Sequence, residues 1–129
     1  MSIFWTSWVS LLALAMYFWT VLEVGKARKT HQIAAPSVEG PEAFLRALRV
    51  QGNTVEQMVF FFPALFLCAF WLSDQWAALG GVIWVVGRVW YALAYLKEAA
   101  KRGPGFVIAT LASVALWLGA ALGLSGWLK

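Results

Sequence analysis

The sequence is poor in charge, cysteine and histidine, and each shortage excludes a class of protein. Only 12% of its 129 residues are charged, against roughly 25% in an ordinary soluble domain. So few ions cannot cover a water-exposed globule of this size. One cysteine, Cys68, excludes an internal disulfide and any multi-cysteine metal centre. It stands among Phe66, Leu67 and Phe70, surroundings that favour packing over a reactive thiolate. One histidine, His31, has no second imidazole to share an ion, so no metal site is expected. It falls in a polar connection and is read as a solvated loop residue. There is no convincing internal repeat and no basic–aromatic pattern of the kind that binds nucleic acid.

What is present is apolar. The chain is 62% hydrophobic and carries nine tryptophans. Residues 3–22, 57–73, 75–96 and 103–128 form four apolar runs, and Arg88 is the one charge inside any of them. About 20 apolar residues cross a hydrocarbon core of about 30 Å. The runs are too long for barrel strands, which alternate over about 10 residues. The expectation is an all-α integral membrane four-helix bundle, one unit over residues 1–129. The first run is expected to stay as a span rather than be cleaved as a signal, since Met1-Ser2 offers no basic n-region. Residues 42–72 should form one helix longer than the bilayer is thick, with Pro63 inside it as a candidate kink.

Lys and Arg placement sets the orientation. The first connection, residues 25–41, carries Lys26, Arg28 and Lys29, with Arg46 and Arg49 close behind. The third carries Lys97, Lys101 and Arg102, whereas the second has only Asp74. The first and third connections are therefore expected in the cytoplasm and both termini outside. Trp5, Trp8, Trp71, Trp76 and Trp127 fall at the outer ends, where indoles anchor to headgroups; Lys129 is the one dissenting charge. The net charge of +4 reflects these connections and needs no nucleic-acid partner.

Two polar sets interrupt the apolar pattern. Arg46, Arg49, Asn53 and Glu56 share one helical face at the mouth of the second span, and Gln51 lies among them. Arg88, Tyr91 and Tyr95 share a face of the third, with Arg102 seven residues on. Both sets lie at the cytoplasmic depth. Charges inside a membrane are expensive and mark function or pairing. Glu56 could pair with Arg88 or Arg49 to hold helices together, and the tyrosines could be interface anchors. For the set as a whole, cations outnumber carboxylates. That suits an anionic ligand that also carries an amine, such as a small zwitterionic peptide.

The pattern Arg49-x-Gln51-x-Asn53-x-x-Glu56, then Gly87-Arg88-x-x-Tyr91-x-x-x-Tyr95, then Lys101-Arg102-x-x-Gly105-Phe106 resembles the MAPEG superfamily, membrane-associated proteins in eicosanoid and glutathione metabolism. The Phe-rich run after Glu56-Gln57 is most like the small bacterial members, which implies a bacterial inner membrane. The resemblance implies four-helix subunits assembled as a homotrimer, with glutathione bound between subunits. It implies that Arg49, Gln51, Asn53, Glu56, Arg88, Tyr91 and Tyr95 hold glutathione and that Arg102 activates its thiol. Arg28 and Lys29 fall where the leukotriene-forming branch has a basic pair.

Gln57 stands where the leukotriene-forming members have Tyr, and Gly52 where the prostaglandin-forming members have Arg. The expected activity is therefore general glutathione conjugation of hydrophobic electrophiles, or glutathione-dependent reduction of lipid peroxides, with membrane lipids around it. A non-enzymatic lipid-binding or scaffold protein of the same fold is the alternative. A small transporter is a weaker third, against which the uncharged last span and the lack of a repeat both count.

Overall fold

Four long helices account for nearly the whole chain. The computed structural model describes residues 2–127, and Lys129, the dissenting charge, lies outside them. Helix α1 spans Phe4–His31, α2 Glu42–Trp71, α3 Asp74–Lys97 and α4 Gly103–Ser125, with a single 3-10 turn, Ala99–Lys101, between the last two. No strand occurs among the described residues. All four helices are long and apolar enough to cross a membrane. At 1.5 Å per residue, α1 and α2 are about 42 and 45 Å long, so both overrun the hydrocarbon core.

Helices α2 and α3 form the centre, joined through only Leu72 and Ser73, which makes them antiparallel neighbours. Helix α1 and helix α4 each pack against both α2 and α3. The core is built from small residues and a few large ones. Ala13, Ala64, Ala77, Ala92 and Ala109 are almost fully buried and let the backbones approach, the usual means of association where lipid supplies no hydrophobic drive between helices. Phe61 and Trp84 fill the remaining volume as a parallel stack with centroids 3.9 Å apart. Cys68 is buried in this core, as expected.

One boundary differs clearly from the sequence reading. The first connection was expected from residue 25, but α1 continues to His31 and closes on Gln32 in the left-handed conformation. Lys26, Ala27, Arg28 and Lys29 are good helix formers, and basic residues in a last turn complement the helix dipole. His31 is thus the last residue of α1, half-buried, rather than a loop residue. At the other end of α1, residue Ile3 offers no side-chain cap. The cap comes from α3: Trp5 N and Thr6 N donate to the two carboxylate oxygens of Asp74 at 3.0 and 2.8 Å. Helix α2 runs through Pro63 to Trp71, close to the expected residues 42–72.

Candidate functional site

The two polar sets meet at the end of the bundle where the α1–α2 and α3–α4 connections lie. A cavity of about 340 Å³ there is lined by Arg49, Gly52, Asn53 and Glu56 of α2, Tyr91 and Tyr95 of α3, and Arg102. Spacings of three and four residues put each group on one helical face, and the antiparallel α2–α3 pair turns the two faces together. Arg102 arrives differently: it is the residue before α4, at the end of the 3-10 turn.

The groups on the cavity wall are only partly committed. Arg49 forms a 3.4 Å ion pair with Glu42, about two turns toward the helix start, with both side chains more than half exposed. Arg102 donates from Nη1 to the Ala99 carbonyl at 2.7 Å, and its guanidinium sits 5.3 Å from the centre of the Tyr95 ring. Asn53 Oδ1 is buried without a hydrogen-bond partner among the described residues. Glu56 is exposed and has no ion pair among the described residues. An orphaned amide oxygen and an unpaired carboxylate suit an incoming donor such as an amide or ammonium. The two guanidiniums suit carboxylates or a thiolate.

Not every expected contact reaches the cavity. Arg88 is fully buried one layer behind it. It stacks 4.1 Å from the Tyr91 ring centre and donates from Nη2 to Thr54 Oγ1 at 2.8 Å. Its Nε and Nη1 have no partner among the described residues. It pairs with neither Glu56 nor any other carboxylate there, so the helix-gluing ion pairs considered from sequence do not form. Gln51 points elsewhere, donating to the Tyr17 hydroxyl of α1 at 3.4 Å. It lies roughly 200° around α2 from both Arg49 and Asn53, so it cannot share their face. Arg28 donates to the Ser37 carbonyl at 2.8 Å and covers the Phe44 ring. Lys29 is exposed on the last turn of α1, and neither of this basic pair lines the cavity. Arg46 reaches the Leu96 carbonyl at the end of α3. Gly52 lines the cavity, a role that sequence reading did not assign.

A larger recess of about 560 Å³ opens at the opposite end, beside Trp5, Ser73 and Asp74. It has no cation in its lining, and the Asp74 carboxylate is already committed to α1. The cation-bearing cavity is therefore the candidate site.

Four membrane-length helices, with a cation-rich polar cavity at one end, define a multi-pass membrane protein. The chain belongs to the MAPEG family, whose model matches residues 6–122. It is 41% identical over 118 residues to an uncharacterized protein of Synechocystis, covering 92% of this chain and 86% of the relative. It is 32% identical over 117 residues to human microsomal glutathione S-transferase 2, covering 91% and 80%. It is 31% identical over 121 residues to guinea-pig leukotriene C4 synthase, covering 93% and 78%. Its relatives thus include glutathione transferases and a leukotriene C4 synthase, alongside one uncharacterized protein.

Proposed function

We propose that this chain is a membrane-embedded glutathione transferase or glutathione-dependent peroxidase, a single four-span domain acting as a homotrimer. The observation that carries the reading is the convergence of Arg49, Asn53, Glu56, Tyr91, Tyr95 and Arg102 on one cavity. Glutathione offers two carboxylates, one ammonium and two amides. In the proposed arrangement Arg49 meets a carboxylate, Glu56 the ammonium and Asn53 the peptide. Arg88 supports Tyr91 from behind.

Arg102 acts on sulfur. A free thiol has a pKa of about 8.5, so only a few per cent is ionised at neutral pH. A guanidinium held near sulfur favours the anion, and two units of lowering require about 2.7 kcal/mol. Arg102 stays protonated throughout, so the thiol proton leaves to water. The thiolate pair then forms a carbon–sulfur bond as the leaving group departs with its electrons. With a lipid peroxide, sulfur instead attacks the O–O bond, releasing the alcohol and a sulfenic acid, which a second glutathione reduces to disulfide and water. The hydrophobic partner enters from the bilayer.

The homotrimer reading is supported by Glu56. It stands 15 residues from Trp71 along α2, about 22 Å inward from the expected outer interface. An exposed carboxylate at that depth is costly facing lipid, and a neighbouring subunit would cover it. The sidedness follows from the cations. Among the described residues every Lys and Arg except the buried Arg88 belongs to the end that carries the cavity, so the positive-inside rule supports that end as the cytoplasmic one, in the bacterial inner membrane that the proposal assigns.

The test is glutathione conjugation to a chloronitroaromatic electrophile by the full chain in vesicles. Arg102→Ala should raise the pKa of the bound thiol by about two units and leave glutathione affinity within a few-fold. The rate should fall only several-fold, because a more basic thiolate is also a better nucleophile. Wild type that neither binds nor turns over glutathione sinks the proposal. Thermal stabilisation by a lipid without thiol chemistry would favour the scaffold alternative.

A further inference from the structure

The strongest feature outside the cavity wall is the contact between α3 and α4. A Cβ on Gly105 would overlap the backbone N of Tyr91 and lie 2.7 Å from both the Gly87 carbonyl and Tyr91 Cα. One on Gly87 would lie 2.8 Å from Ala109 N. The two helices therefore cross backbone to backbone, and glycine on both sides permits it. This crossing sits three residues from Arg102, at Tyr91 itself. Phe106, beside Gly105, packs on the Tyr91 ring with centroids 6.2 Å apart. Tyr91 meets Tyr95 edge-on at 5.5 Å, and Tyr95 underlies Arg102. One backbone contact thus fixes the start of α4, the tyrosine pair and the guanidinium together.

We propose that Gly105, with Gly87 opposite, is a positioning residue that seats Arg102 over the cavity, and so sets the acidity of the thiol bound there. The inference rests on the glutathione reading above and goes beyond it to a residue that touches no ligand. Adding a methyl at Gly105 pushes α4 away from α3 by roughly 1 Å to regain ordinary contact. A cation moved from about 4 to about 5 Å from a charge, at an effective dielectric of about 20, changes a pKa by about half a unit.

The control is at the other end of the same helix. A Cβ on Gly123 would overlap the Trp71 carbonyl, an equal insult 18 residues away, about 27 Å along α4. The experiment compares Gly105→Ala, Gly87→Ala and Gly123→Ala in the reconstituted full chain, reading bound glutathione thiolate by absorbance against pH. Gly105→Ala should raise the thiol pKa by about half a unit, Gly87→Ala less in the same direction, and Gly123→Ala not at all, although it also lowers stability. A second readout needs no glutathione: in a Cys68→Ala, Arg102→Cys background, a nitroxide label at position 102 should change its spectral mobility with Gly105→Ala and keep it with Gly123→Ala. Equal effects of the two alanines, or an unchanged label spectrum with Gly105→Ala, overturn the positioning role whether or not glutathione binds. A changed spectrum in a protein that ionises no glutathione would instead keep the crossing's grip on position 102 and sink the glutathione reading.

Discussion

Replacing Asp74 isolates the contact that ties the first helix to the rest of the bundle. Its two carboxylate oxygens accept Trp5 N at 3.0 Å and Thr6 N at 2.8 Å, and the Thr6 hydroxyl reaches the Asp74 carbonyl at 3.3 Å. Asp74→Ala leaves two N–H groups of the first turn of α1 without a side-chain acceptor, because Ile3 supplies none. Loss of a cap costs about 0.5–2 kcal/mol, and the charge at a helix N-terminus adds about 0.3–1 kcal/mol. Asp74 is only half-buried, so water replaces part of the loss and the upper limits do not apply. The expected destabilisation is about 1.5 kcal/mol. Asp74→Asn keeps one acceptor and loses the charge, and should cost about half as much. The assay is reversible unfolding in mixed micelles, with glutathione affinity measured in parallel. Affinity should stay within about twofold, because neither α1 nor Asp74 lines the cavity. An Asp74→Ala protein as stable as wild type would refute the capping argument. Lost glutathione binding at full stability would show that the two ends of the bundle are coupled.

Other outcomes follow from the same geometry. Glu56→Gln should raise KM for glutathione by roughly 10-fold or more with little change in kcat, since a charge-assisted contact to an ammonium contributes about 1.5–3 kcal/mol; steady-state kinetics checks it. Gln51→Ala should leave KM for glutathione unchanged, because the side chain faces Tyr17 rather than the cavity; the same kinetics separates the two. Arg49→Ala should weaken glutathione binding in calorimetry but cost less than about 1 kcal/mol of stability, its pair with Glu42 being more than half exposed on both sides. Gly52→Ala should stabilise α2 by about 0.5–1 kcal/mol in the unfolding assay, because a Cβ there meets nothing within 4 Å.

The four spans were readable because each needs about 20 apolar residues in succession, and little else in a sequence has that form. The overrun of α1 to His31 was not, since a charged stretch such as residues 26–29 serves equally as loop or as solvated helix. At the site, spacing gave direction and nothing more. Arg49, Asn53 and Glu56 meet Tyr91 and Tyr95 because three- and four-residue steps stay on one face. The same rule turns Gln51, which the resemblance had added to the set, toward Tyr17 of α1. For Arg88 the direction was right and the depth was not legible: Thr54 covers its guanidinium, and no pattern within α3 reports what α2 lays over it. Asp74 carried no local signal of its role, since its partners lie 68 and 69 residues away.

The satisfied and the unsatisfied polar groups lie at opposite ends of the bundle. At one end, Asp74 caps α1, Ser73 caps α3 by accepting Trp76 N at 3.3 Å, and Gly123 lets α4 close on the end of α2. These groups are satisfied, and none lies on the cavity that carries the cations. At the other end, Asn53 Oδ1 and Glu56 lack partners among the described residues, and Arg49 and Arg102 are held by exposed contacts. Unsatisfied groups cost stability unless a ligand completes them. The satisfied end can carry that cost because the helices between are locked by small buried residues and the Phe61–Trp84 stack. Gly105 is the place where the division fails. It is a packing residue in its contacts, yet it lies at the end that carries the cavity, so on the proposed reading a substitution there should change packing and thiol chemistry together. Gly123, with the same steric demand, should change packing alone.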